Sequence, residues 1–246
     1  MPSAPSPEAR SGQRVITFGR VIDLSRVIYP GIPHWPGDPP VEFQPVASIE
    51  QNGYFLRRFA MGEHSGTHMN APIGFDPNGA AIDSYSPQSL IAAAVVIDVR
   101  EFARSDSDYA LAEGEIRSWE SRHGTVPAGS IVLLNTGWQE RWERTEEYLG
   151  TEPGGGYHFP GFGREAVAYL LTQRLAAGVG TDSAGVDPGN DTEFSVNKLA
   201  LARAGIVLEN LCNLDQLPPT GATLAIGILR LQGGSGSPAS VLAMVP

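Results

Sequence analysis

The run GEHSGTHMNAPIGF, residues 62–75, holds two histidines four positions apart, His64 and His68. A helix would put such a pair on one face, but Gly66 between them and Pro72 after them oppose helical backbone. The segment is therefore expected to be extended, with side chains alternating between faces. His64, Gly66, His68 and Asn70 then share one face, and Gly66 leaves room between the imidazoles. Neutral imidazole is a common ligand for zinc and related ions, and the Asn70 amide offers a further oxygen. Spacing alone leaves a second reading open, two histidines held by hydrogen bonds, because a bare pair lacks the carboxylate or third histidine of most metal sites.

A carboxylate appears far along the chain in GIVLENLCNLDQLP, residues 205–218. Glu209 ends an apolar run that reads as a buried strand, where an unpaired carboxylate is unfavourable. It is expected to face a metal or, alternatively, an arginine such as Arg58 or Arg230. Asp215 reads as a turn or cap residue. Cys212 reads as a small core residue, with no neighbour that would make it a nucleophile.

Other ionisable candidates sit in loops. YPGIPHWPGDPP, residues 29–40, has too many prolines and glycines for regular structure and carries His34 and Trp35. Trp35 either covers the core or forms the aromatic wall of a pocket. Asp182 and Asp187, in GTDSAGVDPGND, are explained by turn formation. His158, in GGGYHFPGFG, lies in a loop able to close over a pocket. His123 follows an amphipathic helix and reads as a cap or surface residue. No phosphate loop, dinucleotide fingerprint or nucleophile elbow is present, and no helix pattern follows the GGSGS run at 233–237.

Short β-branched runs predict strands at 20–24, 54–61, 94–99, 131–135, 206–209, 224–229 and 240–244. Helices are expected at 111–122, at 164–177 with Val167, Leu170, Leu171 and Leu175 as a core stripe closed by Gly178, and at 195–204 before Gly205. Strands outnumber helices and alternate with them, which predicts an α/β fold with a mixed sheet. Residues 1–14, rich in Pro, Ser and Ala, are expected to be a disordered arm before one domain over 15–246. The formal net charge of −10 and the lack of a basic cluster argue against nucleic-acid binding. No apolar run approaches the length of a membrane span. The single cysteine fits a reducing, cytoplasmic setting.

The run His64-Ser-Gly-Thr-His68-Met-Asn70-Ala-Pro72 resembles the HxGTHxDxPxH signature of the cyclase family, which includes kynurenine formamidases, isatin hydrolases and natural-product cyclases. Asp23-Leu-Ser, Trp35-Pro-Gly-Asp38, Thr181-Asp-Ser, Glu209-Asn-Leu and the glycine-rich run ending at Pro238 follow in the family's order. The resemblance implies a swivelling β/β/α cyclase-like fold, a metal site in a pocket that is often completed by dimerisation, a homodimer or higher homo-oligomer, His64, His68 and Glu209 as ligands, and Trp35 at the substrate. Three positions depart from the pattern. The motif aspartate is Asn70, the motif's last histidine is Gly74, and a distal histidine ligand is Asn197. The first and last changes remove charge and donors from a second ion, so one divalent ion, zinc or manganese, is expected. The loss at Gly74 removes the family's acid/base, for which His158 and Asp182 are candidate replacements. The expected activity is opening or closing of a ring at the carbonyl of a small cyclic or aromatic substrate, with Asn70 orienting the substrate or completing the coordination. Kynurenine formamidase-type amide hydrolysis and a metal-free small-molecule binder or shape-only cyclase are the alternatives.

Overall fold

The structure is a computed structural model that describes residues 15–203 and 205–246; the arm expected over 1–14 lies outside them. Twelve strands are present among the described residues. They are β1 (Arg20–Asp23), β2 (Glu42–Ala47), β3 (Leu56–Ala60), β4 (His68–Asn70), β5 (Ile91–Asp98), β6 (Ala110–Leu111), β7 (Ile131–Asn135), β8 (Gly161–Phe162), β9 (Gly178–Thr181), β10 (Ile206–Glu209), β11 (Ala222–Ile228) and β12 (Gly236–Val245). The helices are α1 (Ile49–Asn52), α2 (Arg100–Ser105), α3 (Glu113–His123), α4 (Thr145–Leu149), α5 (Arg164–Gln173) and α6 (Ser195–Leu201).

The mixed sheet runs β1-β12-β11-β5-β7-β9-β10-β4. The long strand β12 also pairs with β4, so the sheet closes on itself like a barrel. β5, β7, β9 and β10 run parallel. β5, β7 and the first part of β10 are continuous apolar runs because both faces are covered. Val96, Leu133 and Leu208 point to an inner core with Met69, Leu224 and Val241. Their neighbours Val95, Val132 and Val207 point outward to Ile116 and Trp119 of α3, Leu170 of α5 and Leu201 of α6. Each such side chain, fully buried, stabilises the fold by roughly 1.5–3 kcal/mol relative to exposure.

Closure places the chemistry. The three-residue strand β4 is paired on both sides, with His68 opposite Glu209 on β10 and opposite Pro238 on β12. Two residues far apart in sequence thus become cross-strand neighbours, whose side chains meet directly.

Several local expectations are revised. The extended reading holds for His68–Asn70, but residues 63–67 are turns and bends. Gly66 takes φ +62, so it serves the turn rather than a gap between imidazoles. Helix α5 stops at Gln173, and Leu175, expected in the core stripe, takes φ +53 and is 63% exposed. Gly178 lies in β9 instead of closing the helix, and a Cβ there would collide with the Ile206 carbonyl of β10. The ribbon β2–β3 pairs with no other strand, and β2 was missed because it contains Pro45. That ribbon and its connection expose Val46, Ile49, Tyr54, Phe55, Leu56 and Phe59. No helix among the described residues is long and apolar enough to cross a membrane.

Candidate active site

A cleft of about 230 Å³ opens where β4 and β10 meet the loops at 29–40 and 182–195. Its floor carries His64, His68, Asn70, Asp187, Asn197 and Glu209; Trp35, Phe75, Phe159 and Phe194 stand around its mouth.

Hydrogen bonds fix the protonation of the floor. His68 Nδ1 lies 2.9 Å from the Gly66 carbonyl oxygen. A carbonyl only accepts, so Nδ1 carries the hydrogen. Nε2 then faces Glu209 Oε2 at 3.1 Å, and both atoms are buried. A lone pair against a carboxylate is repulsive, so a proton or another cation belongs between them. Glu209 also accepts from Val186 N and Asn197 Nδ2 through Oε1, each at 2.9 Å, and from Asn70 Nδ2 through Oε2 at 3.0 Å. Burial alone would raise its pKa, but the hydrogen bond and charge of His68, helped by Asn197 and the Val186 amide, bring it down to about 2.

Asn70 has one possible orientation. Its Nδ2 donates to Glu209 and, at 3.0 Å, to Asn197 Oδ1. Its Oδ1 therefore accepts from His64 Nδ1 at 2.9 Å. The other His64 nitrogen lies 3.0 Å from Ser235 Oγ, which is itself 2.8 Å from Glu63 Oε2. Burial, and after it the nearby His68, lower the His64 pKa, against the hydrogen bond with Asn70. The two imidazoles stand nearly perpendicular, with centroids 5.2 Å apart. A Cβ at Gly236 would lie 2.6 Å from His64 Cε1, so the glycine-rich run forms a flat seat for this ring. Asp187 accepts from Val196 N, Asn197 N and Asn197 Nδ2, which aims Asn197 at Glu209. Burial pushes the Asp187 carboxyl up to about 6.

Among the described residues, no three His, Cys, Asp or Glu side chains are gathered as a metal cluster. Both ring nitrogens of His64 are engaged, Nδ1 with Asn70 and Nε2 with Ser235. The chemistry of the set nevertheless fits one divalent ion. His68 presents a lone pair beside an ionised carboxylate, with its other nitrogen bonded to a backbone carbonyl as ligating histidines usually are. His64 can join once its bond to Asn70 is released. Asn70 in place of an aspartate and Asn197 in place of a histidine leave too little negative charge and too few donors for two ions.

Trp35 lies against Tyr157 at 4.6 Å between ring centroids, and near Phe159 and Phe194 at 6.3 and 6.2 Å. Phe75 meets Phe194 at 5.6 Å. Neither expected acid/base lines this cleft. His158 sits in a separate hollow, 2.9 Å from Asp108 and 3.5 Å from Glu152. Asp182 is wholly buried and binds Thr136 Oγ1 and the amides of Thr136 and Gln139. Glu209 meets His68 rather than an arginine: Arg58 is on the exposed ribbon, and Arg230 bonds the Asp83 carbonyl. Asp187, assigned to a turn, is part of the floor. His34, noted only as a loop residue, lines the cleft with Asp38. The one available signal for both was their place beside resemblance motifs.

A mixed sheet closed through β12 and β4, with an imidazole–carboxylate pair at the closure, defines an enzyme of one class. The chain belongs to the cyclase family, whose profile, described as "Putative cyclase", matches residues 22–188. Within that family it is similar to an isatin hydrolase of Roseibium aggregatum, 33% identical over 92% of each chain. A kynurenine formamidase of Erythrobacter litoralis is 26% identical over 92% of this chain and 95% of its own. A solved isatin hydrolase bound to the product analogue thioisatinate superposes with a TM-score of 0.87, at 31% identity over 92% of both chains. A potential metal-dependent hydrolase with cyclase activity shares the fold at a TM-score of 0.68 and 22% identity, over 91% of this chain and 96% of its own. The chain is thus an enzyme with the swivelling β/β/α fold, a hydrolase of the cyclase family.

Proposed function

We propose that this hydrolase opens a ring at the carbonyl of a small, flat cyclic substrate, a lactam or lactone of the isatin type. The observation that carries the reading is the buried His68–Glu209 pair, at 3.1 Å, beneath a mouth of aromatic rings. Flat apolar substrates are held by such rings, while a few polar groups orient the reacting carbonyl. His64, His68 and Glu209 hold one divalent ion, zinc or manganese. When bound, such an ion polarises a carbonyl and lowers the pKa of water. Asn70, fixed by Glu209 and Asn197, orients the substrate or completes the coordination, and Trp35 stacks on the ring. The apolar ribbon β2–β3 joins two copies of the chain into a homodimer, which light scattering tests directly.

One observation favours a second reading. Every polar group of the floor already has a protein partner, as a metal-free binder of small molecules would require. Turnover of an isatin-type lactam, an aryl lactone and N-formylkynurenine, with and without added zinc or manganese, separates the possibilities. The expected result is metal-dependent opening of the cyclic substrates, with kcat/KM at least ~10-fold above that for formylkynurenine. Efficient formylkynurenine hydrolysis reverses that preference. Ligand binding without turnover, unchanged by chelator, supports the metal-free reading.

A further inference from the structure

We propose that His34 is the proton carrier of the ring-opening step, acting from the cleft wall in place of the motif histidine that Gly74 replaces; this rests on the proposed hydrolase reading. The chain has five histidines. His64 and His68 are engaged at both ring nitrogens. His158 is held between carboxylates in another hollow. His123 lies at the exposed end of α3 against Trp119. His34 differs from all four. It lines the cleft, is half-buried, and makes no hydrogen bond to the protein among the described residues. Both its nitrogens are open to a ligand.

Its loop is nonetheless anchored. Ile32 and Pro33 are buried before it, and the Asp38 amide closes a turn on the Trp35 carbonyl at 2.9 Å after it. His34 therefore stands next to the ring expected to stack on the substrate. Asp187, another titratable group on the cleft, spends its oxygens on Val196 and Asn197. Position 74 offers nothing: a Cβ there would only meet Ser235.

In the step, water attacks the carbonyl carbon while His34 takes one of its protons. The ring C–N or C–O bond then breaks, and the imidazolium returns that proton to the leaving nitrogen or oxygen. The new carboxylic acid loses its own proton to solvent, so one water is added overall. The titratable groups around the cleft are Asp38 on the same loop and His64, His68, Asp187, Asp191 and Glu209 on the facing elements.

The test compares wild type, H34Q and H34A on whichever cyclic substrate the wild type opens. Removal of a general acid/base is expected to lower kcat by ~10²-fold or more, with KM changed less than ~3-fold. The wild-type kcat/KM profile carries an acid-side limb that H34Q lacks. Added imidazole restores part of the H34A rate. Thermal melting and binding of a product analogue confirm that both variants are folded. Near-wild-type kcat and an unchanged pH profile in H34Q overturn the assignment and leave the hydrolase reading standing. A rise in KM alone, without a profile change or imidazole rescue, also overturns it, by making His34 a binding group. A wild type that opens no cyclic substrate overturns the hydrolase reading and the His34 role together.

Discussion

The floor of the cleft and its wall are built by opposite means. Floor residues come mainly from the paired strands β4 and β10 and the start of α6, with His64 and Asp187 from the adjoining turn and loop; all but the half-buried His64 are buried, and they are mutually bonded, from Asp187 through Asn197 and Glu209 to His68. Wall residues come from loops, are mostly half-buried, and meet through ring contacts. Phe194 is even held at φ +53, a region that is unfavourable for a bulky side chain. The contrast teaches that chemistry and selectivity are separable here: the floor sets what is done to a carbonyl, and the wall sets which carbonyl arrives.

The largest effect is expected from the centre of the floor. Glu209→Ala leaves His68, Asn70, Asn197 and the Val186 amide without their acceptor. Loss of a buried charge partner is expected to remove ~3 kcal/mol of stability in urea unfolding, and turnover should fall by ~10³-fold. A variant as active as wild type would show that the floor does not carry the reaction. Next comes Asn70→Asp, which places a second negative charge beside Glu209. It is expected to tighten zinc or manganese binding by ~10-fold in calorimetry and to lower stability without metal. Unchanged affinity would mean that Asn70 stays outside the coordination.

A wall substitution is expected to do something different in kind. Trp35→Ala should raise KM for a flat substrate by ~10-fold and change kcat little. An equal fall in kcat would erase the distinction between floor and wall. The smallest effect should appear far from both, on the helical face. The hydrogen bond from Arg174 outweighs the effect of burial, and with Val126 N and Tyr169 holds the Glu120 carboxyl at about 2 against an ordinary 4.5. Its folded pKa is depressed, so its contribution is full above 4.5 and is lost as pH falls toward 2. Glu120→Gln should therefore cost ~1 kcal/mol at pH 7, fading over that window, with turnover unaffected. A stability deficit that persists at pH 2 would contradict the ion-pair account.

The floor was more legible in the sequence than the wall, for a physical reason. His64, His68 and Asn70 lie within one short run, and Glu209 announces itself as a carboxylate ending an apolar strand. What could not be read was how they meet: His64 is carried back by the turn at Gly66, and His68 is paired with Glu209 by a register between distant strands. Wall partners such as Phe159 and Phe194 come from separate glycine-rich loops with no periodicity to mark them. His158 and Asp182 lie in such loops too, and local sequence does not tell that one faces another hollow and the other the interior. The sheet was read from its apolar runs, while β9 was hidden by its glycines and β2 by Pro45.

The most direct test is the metal content of untagged wild-type protein and of His68→Ala, measured by elemental analysis beside turnover in chelator. The account predicts close to one zinc or manganese per wild-type chain, loss of that ion in the variant, and turnover abolished by chelator and restored by the ion. A wild-type protein that carries no ion and opens its substrate equally well in chelator would contradict it.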